Sequence, residues 1–156
     1  MKVVKFDTLN ENARRLIDEA IKVRIHAYAP YSNFKVGAAA TGLPESMYHI
    51  ASGCNVENAM YEVGHAEQAA ILQLAMMSHC DRPLRVAMLA IALTAVTDDQ
   101  HALPCGFCRQ WLREFGDDNM IIYGAKLNAE GKVWQVEVTT LGELLPFSFG
   151  PNNLSK

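Results

Sequence analysis

Two short segments of the chain carry side chains suited to bind a metal ion. The first is His65-Ala66-Glu67, and the second, Pro104–Cys108, contains two cysteines three positions apart. One imidazole and two thiolates are common ligands of tetrahedral zinc, and three protein ligands leave the fourth position for water. Bound zinc lowers the pKa of such a water from about 15.7 towards ~7. The spacing therefore predicts an open metal site with an adjacent acid/base group, made of His65, Cys105, Cys108 and Glu67.

Both segments are predicted to open a helix. The chain from about His65 to His79 is rich in Ala, Leu, Ile and Gln, and a second inner helix is predicted from about Cys105 to Phe115, with Gly116 as its stop. Cysteines three residues apart share one helix face. The partial positive charge of a helix N-terminus favours the thiolate, which is the form that binds metal.

Other elements must hold these two helices in place. Thr8 and Glu11 have the spacing of a capping box at the start of a first amphipathic helix, which we expect Pro30 to end. Apolar runs predict strands, and the last residues predict a short helical turn; the ranges are 34–40, 48–54, 84–97, 120–124 and 133–138, then 141–145. This order favours an α/β layered domain with a mixed sheet. With 156 residues and no linker-like stretch, we expect one domain over residues 1–156.

Composition argues against several function classes. The formal net charge is −3 and no basic stripe is present, which is unlike a protein that grips a phosphate backbone. The longest apolar stretch, Val86–Val96, is too short to span a membrane, and the first ten residues do not form a signal sequence. We therefore expect a cytoplasmic protein whose four cysteines are not a disulfide framework. A thioredoxin-like redox role for the Cys-x-x-Cys segment is the alternative to metal binding.

Beyond the metal segments, the chain resembles the cytidine deaminase family over most of its length. The matching blocks keep the family order and cover residues 29–38, 53–59, 65–67, 104–110, 144–146 and 149–151. A His-x-Glu paired with a Pro-Cys-x-x-Cys is the signature of zinc deaminases in general. The Asn-x-Glu-Asn block at Asn55 and the Pro-Tyr-Ser-x-Phe block at Pro30 narrow the resemblance to nucleoside deaminases.

The resemblance implies a three-layer α/β/α domain with a mixed five-stranded sheet, and it assigns a role to each matching residue. Zn²⁺ would be held by His65, Cys105 and Cys108, and hydroxide attack at C4 of cytidine or deoxycytidine would be assisted by Glu67 as proton shuttle. Substrate contacts would come from four residues: Asn55 and Glu57 to the ribose, Phe34 and the Ala66 backbone to the base.

Three departures from the single-domain family pattern stand out. The motif His65-Ala66-Glu67-Gln68 stands where single-domain members have Cys-Ala-Glu-Arg, and it resembles the motif of the longer, dimeric enzymes. The change is coherent in charge, because one imidazole and two thiolates on Zn²⁺ leave no net charge for an arginine to offset. The segment from Met60 to Gly64 is one residue short, and Phe107 replaces a small residue. Both changes put the substrate range in question.

The expected partner is a small-molecule nucleoside, with neither nucleic acid nor membrane. The resemblance also implies a homotetramer, with a homodimer as alternative, because aromatic tail residues such as Phe147 and Phe149 reach a neighbouring subunit in small family members. Three other functions stay open. They are a deaminase of N4- or C5-substituted cytidines or of an aminonucleoside antibiotic, a polynucleotide editor, and a binding protein with structural zinc.

Overall fold

The structure, a computed structural model, describes residues 1–42, 49–60, 62–77, 84–94, 97 and 99–154. The helices are α1 (Glu11–Arg24), α2 (Ala66–Met77), α3 (Gly106–Leu112) and α4 (Leu141–Leu144). The strands are β1 (Lys2–Val4), β2 (Val36–Gly42), β3 (Ile50–Cys54), β4 (Val56–Glu57), β5 (Val63–Gly64), β6 (Val86–Thr94), β7 (Ile121–Leu127) and β8 (Val133–Thr140). Short 3-10 helices cover Phe6–Thr8 and Pro151–Asn153.

The main sheet has six strands in the order β1-β8-β7-β6-β2-β3. Strands β6 and β7 pair in parallel and the other neighbours are antiparallel, which confirms the predicted mixed sheet. The expected count of five strands is wrong. The extra strand is β1, in which Lys2–Val4 pairs with Val136–Val138 of β8. A three-residue strand that begins with Lys2 and is followed by Lys5 carries too little periodicity to be predicted from sequence.

Helices cover both faces of the sheet, which confirms the α/β/α layering. One apolar cluster joins α1 to one face, and a second joins α2 and α3 to the other. The alternation along β2 shows this division directly. Ala39 packs in the cluster of α1, whereas Ala38 and Ala40 pack in the cluster of α2. Gly53 of β3 lies so close to α2 that an added Cβ would come 2.5 Å from the Cβ of Ala69.

The boundaries of α1 differ from the prediction at both ends. Its N-cap is Asn10, whose side chain accepts from the Ala13 N–H at 2.9 Å. The expected cap, Thr8, instead donates its hydroxyl to the Lys5 carbonyl within the preceding 3-10 helix. The helix stops at Arg24, well before Pro30, because the chain turns away and the Tyr28 N–H pairs with the Asn55 carbonyl.

The other predicted elements are present with boundaries shifted by a few residues. Parts of four predictions lie outside the described residues. They are Tyr48 of the second predicted strand, the turn signal at residues 43–44 that separates the first two strands, the end of the second helix at His79, and residues 95–96 of the third strand. Within the described part of the chain, no helix is long and apolar enough to cross a membrane.

Candidate active site

The starts of α2 and α3 meet on one face of the sheet and bring together three side chains that could hold a metal ion. His65 directly precedes α2, Cys105 is the N-cap of α3, and Cys108 lies in its first turn. Their ligand atoms all lie within 4.8 Å of one another, and Cys105 Sγ is 3.7 Å from His65 Nδ1. Residues 40 positions apart in the chain thus form one cluster, as the spacing of the two motifs predicted.

The donor set and its geometry fit zinc. With Zn–S near ~2.3 Å and Zn–N near ~2.0 Å, tetrahedral ligand atoms lie about 3.5 Å apart, close to the separation of Cys105 and His65. Burial raises the pKa of the Cys108 thiol far above its usual range, and the neighbouring Glu67 and Cys105 raise this pKa further. A divalent cation would reverse that effect by stabilising the thiolate. Among the described residues the cluster has no fourth His, Cys, Asp or Glu ligand, which leaves room for a small molecule.

Glu67 lies beside this cluster in the first turn of α2. Its side chain is only 5% exposed and is hydrogen-bonded to the Cys108 thiol. It also lines the same cavity as His65 and Cys105. A carboxylate in this position could exchange a proton with any group bound at the open side of the metal cluster.

A cavity of about 460 Å³ extends from the metal cluster, a size in the range of small-ligand sites. All four predicted substrate-binding residues line it: Phe34, Asn55, Glu57 and Ala66. Sequence reasoning missed its apolar walls, which are formed by Val36, Val63, Ile91, Leu93 and Leu103. The sequence signal for these residues was the apolar pattern of the strands and loops. That pattern marks a residue as buried, but it does not distinguish a residue that lines a cavity from one that packs in the core.

Asn55 and Glu57 also hold the loop that carries Phe34. The Glu57 carboxylate accepts from the Tyr31 and Ser32 N–H groups at 2.9 and 3.3 Å, and also from the Ser32 hydroxyl. Asn55 accepts from the Val36 N–H at 2.8 Å and donates to the Phe34 carbonyl at 2.9 Å. These contacts use only part of the bonding capacity of a carboxylate and an amide. The sequence did not predict this second role.

The same contacts also favour the ionised form of the Glu57 carboxyl. The hydrogen bond from the Ser32 hydroxyl lowers the pKa of the Glu57 carboxyl, and the Tyr31 and Ser32 amides add to this effect. The loop bends at Asn33, whose φ of +56° lies in the left-handed region that asparagine tolerates better than most residues. Glu57 is therefore held ionised at the cavity wall by the segment that presents Phe34.

Each of the three departures from the family pattern lies at the site. Gln68 Oε1 accepts from the His65 backbone N–H at 3.4 Å. The ring of Phe107 lies 5.4 Å from the His65 ring, tilted by 40°. In the shortened segment from Met60 to Gly64, Val63 and Gly64 form β5, which pairs with β4. Val63 lines the cavity, and Tyr61 lies outside the described residues.

Comparisons with known proteins agree with this arrangement. The family described as "Cytidine and deoxycytidylate deaminase zinc-binding region" matches residues 10–124. A cytidine deaminase of Sporosarcina psychrophila is 36% identical over 145 residues, which cover 92% of this chain and 96% of that protein. A longer cytidine deaminase of Pectobacterium carotovorum is 35% identical over 131 residues, which cover 82% of this chain but 36% of that protein.

The fold gives the same result. The solved structure of a cytidine deaminase from Burkholderia pseudomallei superposes with a TM-score of 0.69 at 36% identity, and the match covers 90% of this chain and all of that one. Sequence, fold and site geometry converge, and the chain belongs to the cytidine and deoxycytidylate deaminase family.

Proposed function

We propose that this protein is a zinc-dependent hydrolase that converts cytidine or deoxycytidine and water into the uridine nucleoside and ammonia. The observation that carries the proposal is the position of Glu67, which lines a cavity of about 460 Å³ together with His65 and Cys105 of the candidate metal cluster. Relatives named cytidine deaminase over most of the chain support the same substrate class.

Zn²⁺ would be held by His65, Cys105 and Cys108. Bound zinc supplies Lewis-acid chemistry, which makes water acidic enough to react near neutral pH. Glu67 would accept the proton that the attacking water loses and would deliver a proton to the amino nitrogen that leaves from C4. Because Glu67 is almost fully buried, its proton would pass to the substrate rather than to bulk solvent.

The remaining cavity residues would orient the nucleoside. The ring of Phe34 would pack against the base, and the backbone of Ala66, at the start of α2, would contact the polar edge of the base. Asn55 and Glu57 would use their remaining donor and acceptor sites for ribose hydroxyls. Since both also hold the loop of Phe34, sugar recognition and base stacking would be coupled in this chain.

Two structural proposals accompany this function. Both apolar clusters lie on the same six-stranded sheet, which supports a single domain over residues 1–156. Exposed aromatic side chains near the C-terminus, Phe147 and Phe149, support a homotetramer, with a homodimer as the other arrangement. Light scattering tests the second proposal, and a monomer at working concentration would contradict it.

Ultraviolet absorbance of cytidine and deoxycytidine tests the activity directly. Wild-type protein should convert both, whereas Glu67→Gln with normal zinc content should be slower by about 100- to 10,000-fold. If zinc is present but neither nucleoside reacts, N4- and C5-substituted cytidines and aminonucleosides are tested next. Failure of all of these would favour a structural role for zinc.

A further inference from the structure

A polar cluster with a buried ion pair lies on the sheet behind the loop that leads to Cys105. We call it the Glu137 cluster, and it consists of Glu137, Lys126 and His101. Glu137 and Lys126 are each 1% exposed. Glu137 Oε1 lies 3.3 Å from Lys126 Nζ and 2.6 Å from His101 Nδ1. A buried ion pair costs much of what it gains, so its presence points to a purpose other than stability.

The cluster fixes the backbone of the loop. Glu137 Oε2, the second oxygen, accepts the Ala102 N–H at 3.0 Å, only three residues before Cys105. Arg109 of α3, which follows that cysteine in the chain, donates from Nε to the carbonyl of Pro104, the residue before Cys105, at 2.7 Å. The backbone that presents Cys105 is therefore held from two directions.

The sheet beneath the loop is shaped to receive it. Gly124 pairs with Glu137 in the register of β7 and β8. A Cβ at Gly124 would come 2.5 Å from the Ala102 carbonyl oxygen and 3.3 Å from Leu103 Cδ2. The loop thus lies directly on the glycine backbone, in a position that a side chain would forbid.

We propose that Glu137 is a positioning residue for Cys105. It fixes the loop at Ala102 and His101, so that the Cys105 sulfur is held near the other ligands before a metal binds. Lys126 offsets the burial of the carboxylate charge. The inference rests on the proposed function, since it takes Cys105 to be a zinc ligand. Groups that orient metal ligands typically change metal affinity by about 10- to 100-fold.

The test measures the rate at which the zinc-loaded enzyme releases its metal to a colorimetric chelator. Glu137→Gln keeps the size of the side chain and an acceptor for Ala102 but removes the charge, and it should release zinc about ten times faster. Glu143→Gln is the matched control. Glu143 accepts from Thr139 at 2.5 Å and pairs with the N-terminal amine at 3.1 Å, so this change also removes a bonded carboxylate, yet away from the loop. It should release zinc at the wild-type rate.

A second variant decides the matter if Glu137→Gln does not fold. The side chain of His101 is 52% exposed, so His101→Ala should fold normally while it removes one contact of Glu137 with the loop. We expect zinc release several-fold faster than in the wild type. Wild-type release rates in the folded variants would overturn the inference and leave the proposed function intact. A wild-type protein that binds no zinc would instead overturn the proposed function, and the inference with it.

Discussion

Gln68, in the first turn of α2, accepts a hydrogen bond from the backbone N–H of His65 at 3.4 Å. The residue that follows Glu67 is therefore tied to the backbone of a predicted metal ligand that directly precedes α2. A neutral side chain suits a cluster of one imidazole and two thiolates, which would balance the charge of Zn²⁺.

Gln68→Arg should therefore impair the enzyme. It removes an acceptor from His65 and adds a positive charge beside a neutral metal cluster, so we expect kcat to fall about ten-fold or more. Steady-state kinetics and zinc content check this prediction, and Gln68→Met, which adds no charge, separates the two effects. Full rate and full zinc in Gln68→Arg would contradict the charge-balance argument.

The pH at which kcat/KM falls on the acidic side should depend on Ser32. The Ser32 hydroxyl lowers the pKa of the Glu57 carboxyl, so ionised Glu57 holds the Phe34 loop above that pKa and the contact is lost as the pH falls through it. Ser32→Ala should raise this pKa and move the acid-side loss of kcat/KM to higher pH. The pH profile of kcat/KM measures the shift. Ser52→Ala leaves the Ser32 hydroxyl in place and should retain the wild-type profile.

Removal of zinc should destabilise the protein as well as inactivate it. A ligand that binds only the folded state adds to the free energy of unfolding, and zinc would also offset the raised pKa of buried Cys108. We expect a chelator to lower Tm by several degrees, and added Zn²⁺ to restore both Tm and activity. Calorimetry with and without metal checks this, and an unchanged Tm after zinc loss would contradict it.

Phe107→Ala should weaken metal binding without unfolding the chain. The Phe107 ring is 59% exposed and packs against the His65 ring, and such aromatic pairs are worth about 0.5–1.5 kcal/mol. We expect zinc affinity to fall by up to about ten-fold while Tm stays close to the wild-type value. Competition with a chelator measures the affinity. Phe107→Tyr keeps the ring and should behave as wild type.

Local sequence signals were sufficient for the layered fold and for the cluster of His65, Cys105 and Cys108. Each predicted metal ligand lies at a helix start that turn and periodicity rules can locate, and the ligand spacing is itself a pattern. The four predicted substrate-binding residues were identified from the resemblance rather than from periodicity, and their roles stay predictions.

What the sequence did not predict depends on long-range contacts. The β1 strand exists only through its pairing with β8, and the loop contacts of Asn55 and Glu57 depend on how distant backbones approach. Lys126 and Glu137 are charged residues of β7 and β8 for which the sequence predicted no role, and the structure shows that both are buried. A charge pattern alone does not distinguish a buried charged residue from an exposed one.

The close packing of β3 against α2 at Gly53 and Ala69 has a consequence for protein engineering. Gly53 and Ala69 already approach so closely that one methyl group would displace the helix that begins after His65. Directed evolution of this protein should therefore accept changes at exposed cavity-lining positions such as Val63 far more readily than at Gly53 or Ala69. A library built to broaden substrate range would gain most from diversity at exposed cavity-lining positions, with Gly53 and Ala69 left unchanged.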